Sequence, residues 1–233
     1  MVIILDLGSG ETCWNNREDV RDMIKAVDDN DPREVEIILK WQLFRGGEFA
    51  HLRALHHGIF AYAYDVAREY GYATTASVFD WQSAEFLSRF DIPFIKLACL
   101  PELTKADSER SIESLIPTKL GKHGHWTTPL YDAVVASYGS QAHFGVVRTV
   151  TKYCLACVRE YPAKLDDYEK AFTSEQLEAG ISDHSDHTKG MYLFNEYKPD
   201  LYETHFCLDR QTGPDTGPFA LRPNQLRDML EAL

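Results

Sequence analysis

Two stretches decide how this chain folds: Gly180-Ile181-Ser182-Asp183-His184-Ser185-Asp186-His187-Thr188-Lys189-Gly190 and Tyr202-Glu203-Thr204-His205-Phe206. Each closes a short apolar run with a histidine beside a carboxylate, and a helix-length segment separates them. The pattern predicts a strand over 178–182, a helix over 189–196 and a strand over Leu201–Phe206, one βαβ unit. Within a strand, positions two apart share a face, so Glu203 and His205 point the same way. A neutral imidazole is a good ligand for a borderline divalent ion, and a carboxylate beside it ligates or orients. Either histidine alone reads as a strand-end or loop residue satisfied by hydrogen bonds; the pair points to a site.

The same alternation runs upstream. Strands are expected over 2–6, 34–42, 72–79, 93–99 and 150–158, with a weak fifth over 115–119 that holds Pro117. Helices are expected over 17–28, 57–70, 81–90, 103–114, 129–137, 163–172 and 223–233, and a loop over 123–126. Eight βα units predict an α/β chain forming a single compact (β/α)8 TIM barrel over residues 1–233. An open doubly wound sheet would want a glycine-rich phosphate turn after the first strand. Gly8-Ser9-Gly10 offers two glycines and no helix start. In a barrel, chemistry gathers where strands end, and Lys40, Lys96, His184 and His205 fall at or near such ends. Asp6 reads as a strand-end acid at the mouth rather than a helix cap. Both lysines lie in apolar runs (IILKWQ, FIKLA), where an unpaired ammonium is costly. A ligand anion or a facing carboxylate must compensate them.

Composition sets the outer limits. Of 233 residues, 44% are hydrophobic and 12% aromatic, ample for a core. With 24 basic against 36 acidic residues the net charge is −12, which disfavours nucleic acid and anionic membranes as partners. A small anionic substrate is compatible if a few lysines are focused in a pocket. No apolar run is long enough to span a bilayer, and Val2-Ile3-Ile4-Leu5 leads into Asp6 rather than a cleavage site, so a cytoplasmic protein is expected. The 5 cysteines form no disulfide framework. Cys154 and Cys157, three apart in a strand, face opposite ways and read as buried small hydrophobes.

Taken together, these residues resemble the catalytic barrel of the sialic acid synthase (N-acetylneuraminate synthase) family. That family reads G-x-S-D-H, E-x-H-F, L-D-R and G-P-D in order. Here they stand as Gly180–His184, Glu203–Phe206, Leu208–Arg210 and Gly213–Asp215. Leu221-Arg222-Pro223 resembles the family's closing helix start, Leu155-Ala156-Cys157 to Tyr161-Pro162 its L-H-C…Y-P strand end, and Lys40-Trp41-Gln42 its K-x-Q strand. Ser77-Val78-Phe79-Asp80 and Lys96-Leu97-Ala98 fit its third and fourth strands.

The resemblance implies condensation of phosphoenolpyruvate with the open-chain aldehyde of an N-acylated hexosamine, giving a sialic acid-type sugar and phosphate. It implies a divalent metal, Mn2+ or Mg2+, on His184 and His205, with phosphoenolpyruvate held by Lys40, Lys96, Ser77 and Ser182. Tyr161 and Arg210 would serve the substrates, and Asp6, Glu203 and Asp215 the chemistry; a homodimer is compatible. Departures are plain: Asp6 replaces a glutamate, Cys99 a serine, and Arg159 a polar residue two before Tyr161. The fifth-strand S-T-G motif is unrecognisable, and the family's C-terminal antifreeze-like domain has no counterpart. Ser185-Asp186-His187 repeats Ser182-Asp183-His184, so His187 is either a second ligand or a loop residue.

Overall fold

The computed structural model describes residues 1–45, 51–97, 133–138 and 153–233. The apolar runs become strands β1 (Val2–Asp6), β2 (Glu36–Leu43), β3 (Ala73–Val78), β4 (Phe94–Leu97), β5 (Ala133–Tyr138), β6 (Tyr153–Cys157), β7 (Ile181–Asp183) and β8 (Leu201–Phe206). Neighbours in the chain are neighbours in the sheet and all pair in parallel. β8 also pairs with β1, so the sheet curls until its first and eighth strands meet. A short β9 (Ala220–Leu221) adds to β8 beyond the end of its ladder with β7.

Helices join the strands: α1 (Gly10–Cys13) and α2 (Arg17–Asp28) after β1, α3 (His57–Glu69) after β2, and α4 (Trp81–Leu87) after β3. Later come α5 (Leu165–Ala171) and α6 (Ser174–Ala179) after β6, α7 (His187–Tyr197) after β7, and α8 (Pro223–Glu231) after β9. α2 shows why such segments are helical. Asn16 caps it by accepting from the Glu18 N–H at 2.8 Å, its first turn is acidic and its last holds Lys25. Val20, Met23, Ile24 and Val27 fall on one buried face.

Strand alternation splits the core into two layers. Val2, Ile4, Ile38, Ala73, Phe94, Leu155 and Leu201 form one buried cluster inside the curled sheet. Ile3, Leu5, Ile37, Leu39 and Trp41 instead pack outward against helix residues such as Met23, Phe60 and Met229. On four strands the last inner apolar residue is followed two positions later, on the same face, by a charged one. Asp6 follows Ile4, Lys40 follows Ile38, Lys96 follows Phe94, and Glu203 follows Leu201. The inside of the sheet is thus a dry plug at one end and a polar floor at the other.

Four expectations change. Residues 129–137 were expected to be helical, but Ala133–Tyr138 is the fifth strand, paired to Phe94 on one side and to Tyr153 on the other. Its short apolar run has no period that separates helix from strand, so pairing on both edges decides. The seventh strand starts at Ile181 rather than 178, because Thr173 and Gln176 form a capping box that starts α6. Gly8-Ser9-Gly10 does open a helix: Ser9 caps α1 by accepting from the Glu11 N–H. The expected eightfold strand–helix barrel is seen as its curled parallel sheet, since 98–132 and 139–152 lie outside the described residues. The elements expected over 103–114, 115–119 and 123–126, and Cys99, fall outside them too. Among the described residues, no helix is long and apolar enough to cross a membrane.

Candidate active site

Register gathers the polar strand ends. Asp6 is level with Lys40 on one side and His205 on the other. Ser77 is level with Gln42 and Lys96, and Ser182 with Cys157 and Glu203. They line a cavity of about 330 Å³ together with Leu52, Phe79, Arg159, Tyr161, His184, Pro214 and Asp215.

The floor is an ion-paired network. Lys40 and Lys96 are each 2% exposed. Lys40 Nζ donates to Asp6 Oδ2 at 2.6 Å and to Ser77 Oγ at 2.9 Å, and lies 3.5 Å from Glu203 Oε1. Lys96 Nζ donates to the same Glu203 oxygen, which also accepts from Ser182 Oγ at 2.8 Å. Gln42 Nε2 bridges Asp6 Oδ2 at 3.0 Å and Asp215 Oδ1 at 3.1 Å, while Thr12 Oγ1 donates to Asp215 Oδ2 at 3.0 Å.

These contacts set the charge states. Burial disfavours charge on Asp6 and Glu203, but the lysines outweigh it: Lys40 and His205 pull Asp6 well down, and Lys40 and Lys96 pull Glu203 down to about 2. Burial likewise opposes charge on Lys40, yet Asp6 and Glu203 raise it. For Lys96 burial wins, helped by the neighbouring Lys40, and its ammonium is the more easily deprotonated of the two. Burial raises Asp215 above the usual carboxylate range, against the pull of His205.

Above this floor stand the two imidazoles. His184 Nδ1 lies 2.6 Å from the Val158 carbonyl, which can only accept, so Nδ1 carries the proton and Nε2 keeps its lone pair. Burial, and then His205, push His184 down to about 3, so it is neutral near pH 7. Tyr161 stacks on it at 4.1 Å between ring centroids and brings its hydroxyl within 3.2 Å of Nε2. The His205 ring lies 5.5 Å from the His184 ring, centroid to centroid. Its nitrogens stand 3.8 Å from Asp6 and 3.7 Å from Asp215, and Nδ1 is buried with no hydrogen-bond partner among the described residues. An orphaned buried nitrogen is costly unless something binds it.

The donor set fits an ion held by two imidazoles. One tautomer is fixed from behind by a carbonyl, one nitrogen is orphaned, and the ring separation is within the span of metal–nitrogen bonds of about 2.1 Å. Among the described residues no group of three or more His, Cys, Asp and Glu side chains is arranged to hold a metal. Further ligands would come from substrate or water.

The structure thus brings together Asp6, Lys40, Ser77, Lys96, Tyr161, Ser182, His184, Glu203, His205 and Asp215. It does not bring in Arg210, whose half-exposed guanidinium pairs with Asp19 at 2.8 Å and Asp22 at 2.6 Å on α2. The two α2 carboxylates hold it exposed, so Arg210, expected to serve the substrates, does not line this cavity. His187 is the first residue of α7 and does not line the cavity. Gln42, Thr12 and Cys157 were missed as site residues. For Gln42 the signal was present, two positions beyond Lys40 on the same strand face; the Thr12–Asp215 contact has no signature in sequence.

The NeuB family model matches residues 47–233. Among solved structures, a spore coat polysaccharide biosynthesis protein E from Chromobacterium violaceum is similar with TM-score 0.72 at 17% identity, covering 99% of this chain and 73% of that one. The N-acetylneuraminic acid synthetase of Leptospira borgpetersenii, solved with citrate, gives 0.69 at 17% identity, covering 98% and 81%. The Bacillus subtilis spore coat protein spsE gives 0.65 at 18% identity, covering 99% and 66%. No curated protein matches the chain. With strand-end residues converging on one cavity and a family match over most of its length, the chain belongs to the NeuB family.

Proposed function

We propose that the chain is an enzyme of the sialic acid synthase type on a closed (β/α)8 barrel. It condenses phosphoenolpyruvate with the open-chain aldehyde of an N-acylated hexosamine such as N-acetylmannosamine. The observation that carries this is the pair of buried ammonium groups, Lys40 and Lys96, facing two buried imidazoles across one cavity. Compact cations in a water-poor pocket suit a phosphorylated enol acid. Ser77 and Ser182 supply hydroxyl donors beside them.

In the reaction a C–C bond forms between the enol methylene and the aldehyde carbon, water adds at the enol carbon, and the C–O bond to phosphate breaks. Asp6, charged at neutral pH, is positioned to take the proton of that water. Glu203 and Asp215 face the aldehyde oxygen and the sugar hydroxyls, and Tyr161 walls the acceptor side. A divalent Mn2+ or Mg2+ ion on His184 and His205 supplies Lewis-acid polarisation of the aldehyde oxygen when bound.

The test is phosphate release from phosphoenolpyruvate with N-acetylmannosamine and Mn2+, with mass detection of the nine-carbon acid. A keto-acid lyase is the second reading, favoured by the depressed Lys96 amine, which is suited to imine formation. Silence with every hexosamine, together with borohydride trapping of pyruvate on Lys96, would replace the first reading by the second.

A further inference from the structure

We propose that Tyr168 of α5, which does not line the cavity, is a positioning residue that seats His184 through its hydroxyl. It is the one buried side chain of that helix and has no exposed surface. A phenylalanine would fill the same space without the cost of desolvating a hydroxyl, so the hydroxyl must have a polar use. That use lies at the end of β7. The ladder between β6 and β7 closes with Cys157 level with Ser182. Beyond it the chain must present His184 to the cavity while its own backbone groups stay paired. Tyr168 Oη donates to the Ser182 carbonyl at 2.8 Å and accepts from the His184 N–H at 2.9 Å. Its single proton is committed to the carbonyl, which leaves a lone pair for the amide.

Three bonds therefore fix His184, all from the segment that runs out of β6. The Val158 carbonyl takes the Nδ1 proton at 2.6 Å, the Ala163 N–H donates to the His184 carbonyl at 2.7 Å, and Tyr168 takes the His184 N–H. Each acts on a different atom, so together they set both the place of the ring and the way it turns. Tyr168→Phe deletes the third bond and leaves a buried N–H unpaired. His184 then shifts to find a partner, the bond to Val158 weakens, and the Nδ1–H tautomer loses its anchor.

The effect on metal binding rests on the proposed function, in which His184 offers Nε2 to a cation; the effect on the tautomer does not. Both are read in the wild-type chain, Tyr168→Phe and Tyr72→Phe. Tyr72 is the control, because its buried hydroxyl donates to Asp31 at 2.9 Å and neither residue lines the cavity. Nitrogen-15 histidine spectra of the metal-free chain at neutral pH report the tautomer, with the His184 signals identified by their loss in His184→Ala. Calorimetry with Mn2+ reports the cation site.

Wild-type His184 is expected to show the two well-separated ring-nitrogen shifts of an Nδ1–H imidazole. Tyr168→Phe should draw them together and bind Mn2+ about ten-fold more weakly. Tyr72→Phe should change neither, although both variants lower the urea midpoint. Unaltered His184 shifts in Tyr168→Phe, or the same loss of Mn2+ affinity in Tyr72→Phe, would overturn the inference. If Tyr168→Phe does not fold, amide exchange in the wild-type chain decides. The His184 N–H should exchange as slowly as the ladder amides of β8, and exchange as fast as a loop amide would overturn the inference. A wild-type chain that binds no Mn2+, with shifts that still move in Tyr168→Phe, would end the ligand reading and leave this one standing. Mn2+ binding and turnover in the wild type, with an unaltered Tyr168→Phe, would do the reverse.

Discussion

His184 Nδ1 donates to the Val158 carbonyl at 2.6 Å, and this one bond decides which imidazole nitrogen faces the cavity. A ring so anchored needs no reorientation to bind a cation. His184→Ala and His205→Ala should each weaken Mn2+ binding by more than the roughly 10–100-fold typical of losing an outer partner. Calorimetry with Mn2+, beside circular dichroism to show an intact fold, measures this. Full-strength binding in either variant would remove the assignment of these rings as ligands.

Glu203 is the shared partner of both buried lysines. Glu203→Gln strands Lys96 without a counter-charge, and losing one member of a buried pair costs about 3–5 kcal/mol. Urea unfolding should show that loss. The double variant Glu203→Gln/Lys96→Met should recover part of it, because no bare ammonium remains. A double variant weaker than the single one would contradict the pairing.

Gly8 sits at φ +75°, and a Cβ there would lie 2.2 Å from Thr12 Oγ1 and 2.9 Å from Asp215 Oδ2. Its N–H also donates to Asp6 Oδ1 at 2.9 Å. Gly8→Ala should therefore cost more than about 1 kcal/mol and lower turnover through both acids. Gly58, in α3, is the control, because a Cβ there would meet nothing within 4 Å among the described residues: Gly58→Ala should be neutral or stabilising by up to about 1 kcal/mol. Equal behaviour of the two variants in thermal melts would count against the close approach.

Cys13 is fully buried on α1, and burial pushes its thiol up to about 11. The thiolate is the reactive form, so Cys13 should resist iodoacetamide at pH 8 in the folded protein and react in urea. Peptide mass mapping reads this directly. Ready labelling without denaturant would mean that the α1 packing opens.

Much of this was legible in sequence because strand ends announce themselves. Runs such as IILKWQ place a charged residue in an apolar stretch, and only a buried partner or ligand makes that tolerable. Lys40 and Lys96 were found that way, and Glu203 and His205 as a carboxylate and an imidazole two apart on one strand face. The fifth strand was not, since Ala133–Tyr138 is a short run of small and β-branched residues and only its pairing to β4 and β6 makes it a strand. Where Arg210 would sit was not legible for a related reason. Its neighbours in the motif carry the resemblance, but Asp19 and Asp22, far away in sequence, decide where the guanidinium goes. The Lys–carboxylate matching was foreseen only as a need, because which acid meets which amine depends on sheet register.

The short strand β9 borders β8 at His205 and Phe206, and α8 begins just after it at Pro223. On its other side His205 is held by Asp6 of β1. The backbone under this imidazole is thus flanked on both sides, by β1 and by the short β9. Removing β9 would therefore be felt first as wobble in a cavity-facing ring, before the remaining staves gave any sign of melting.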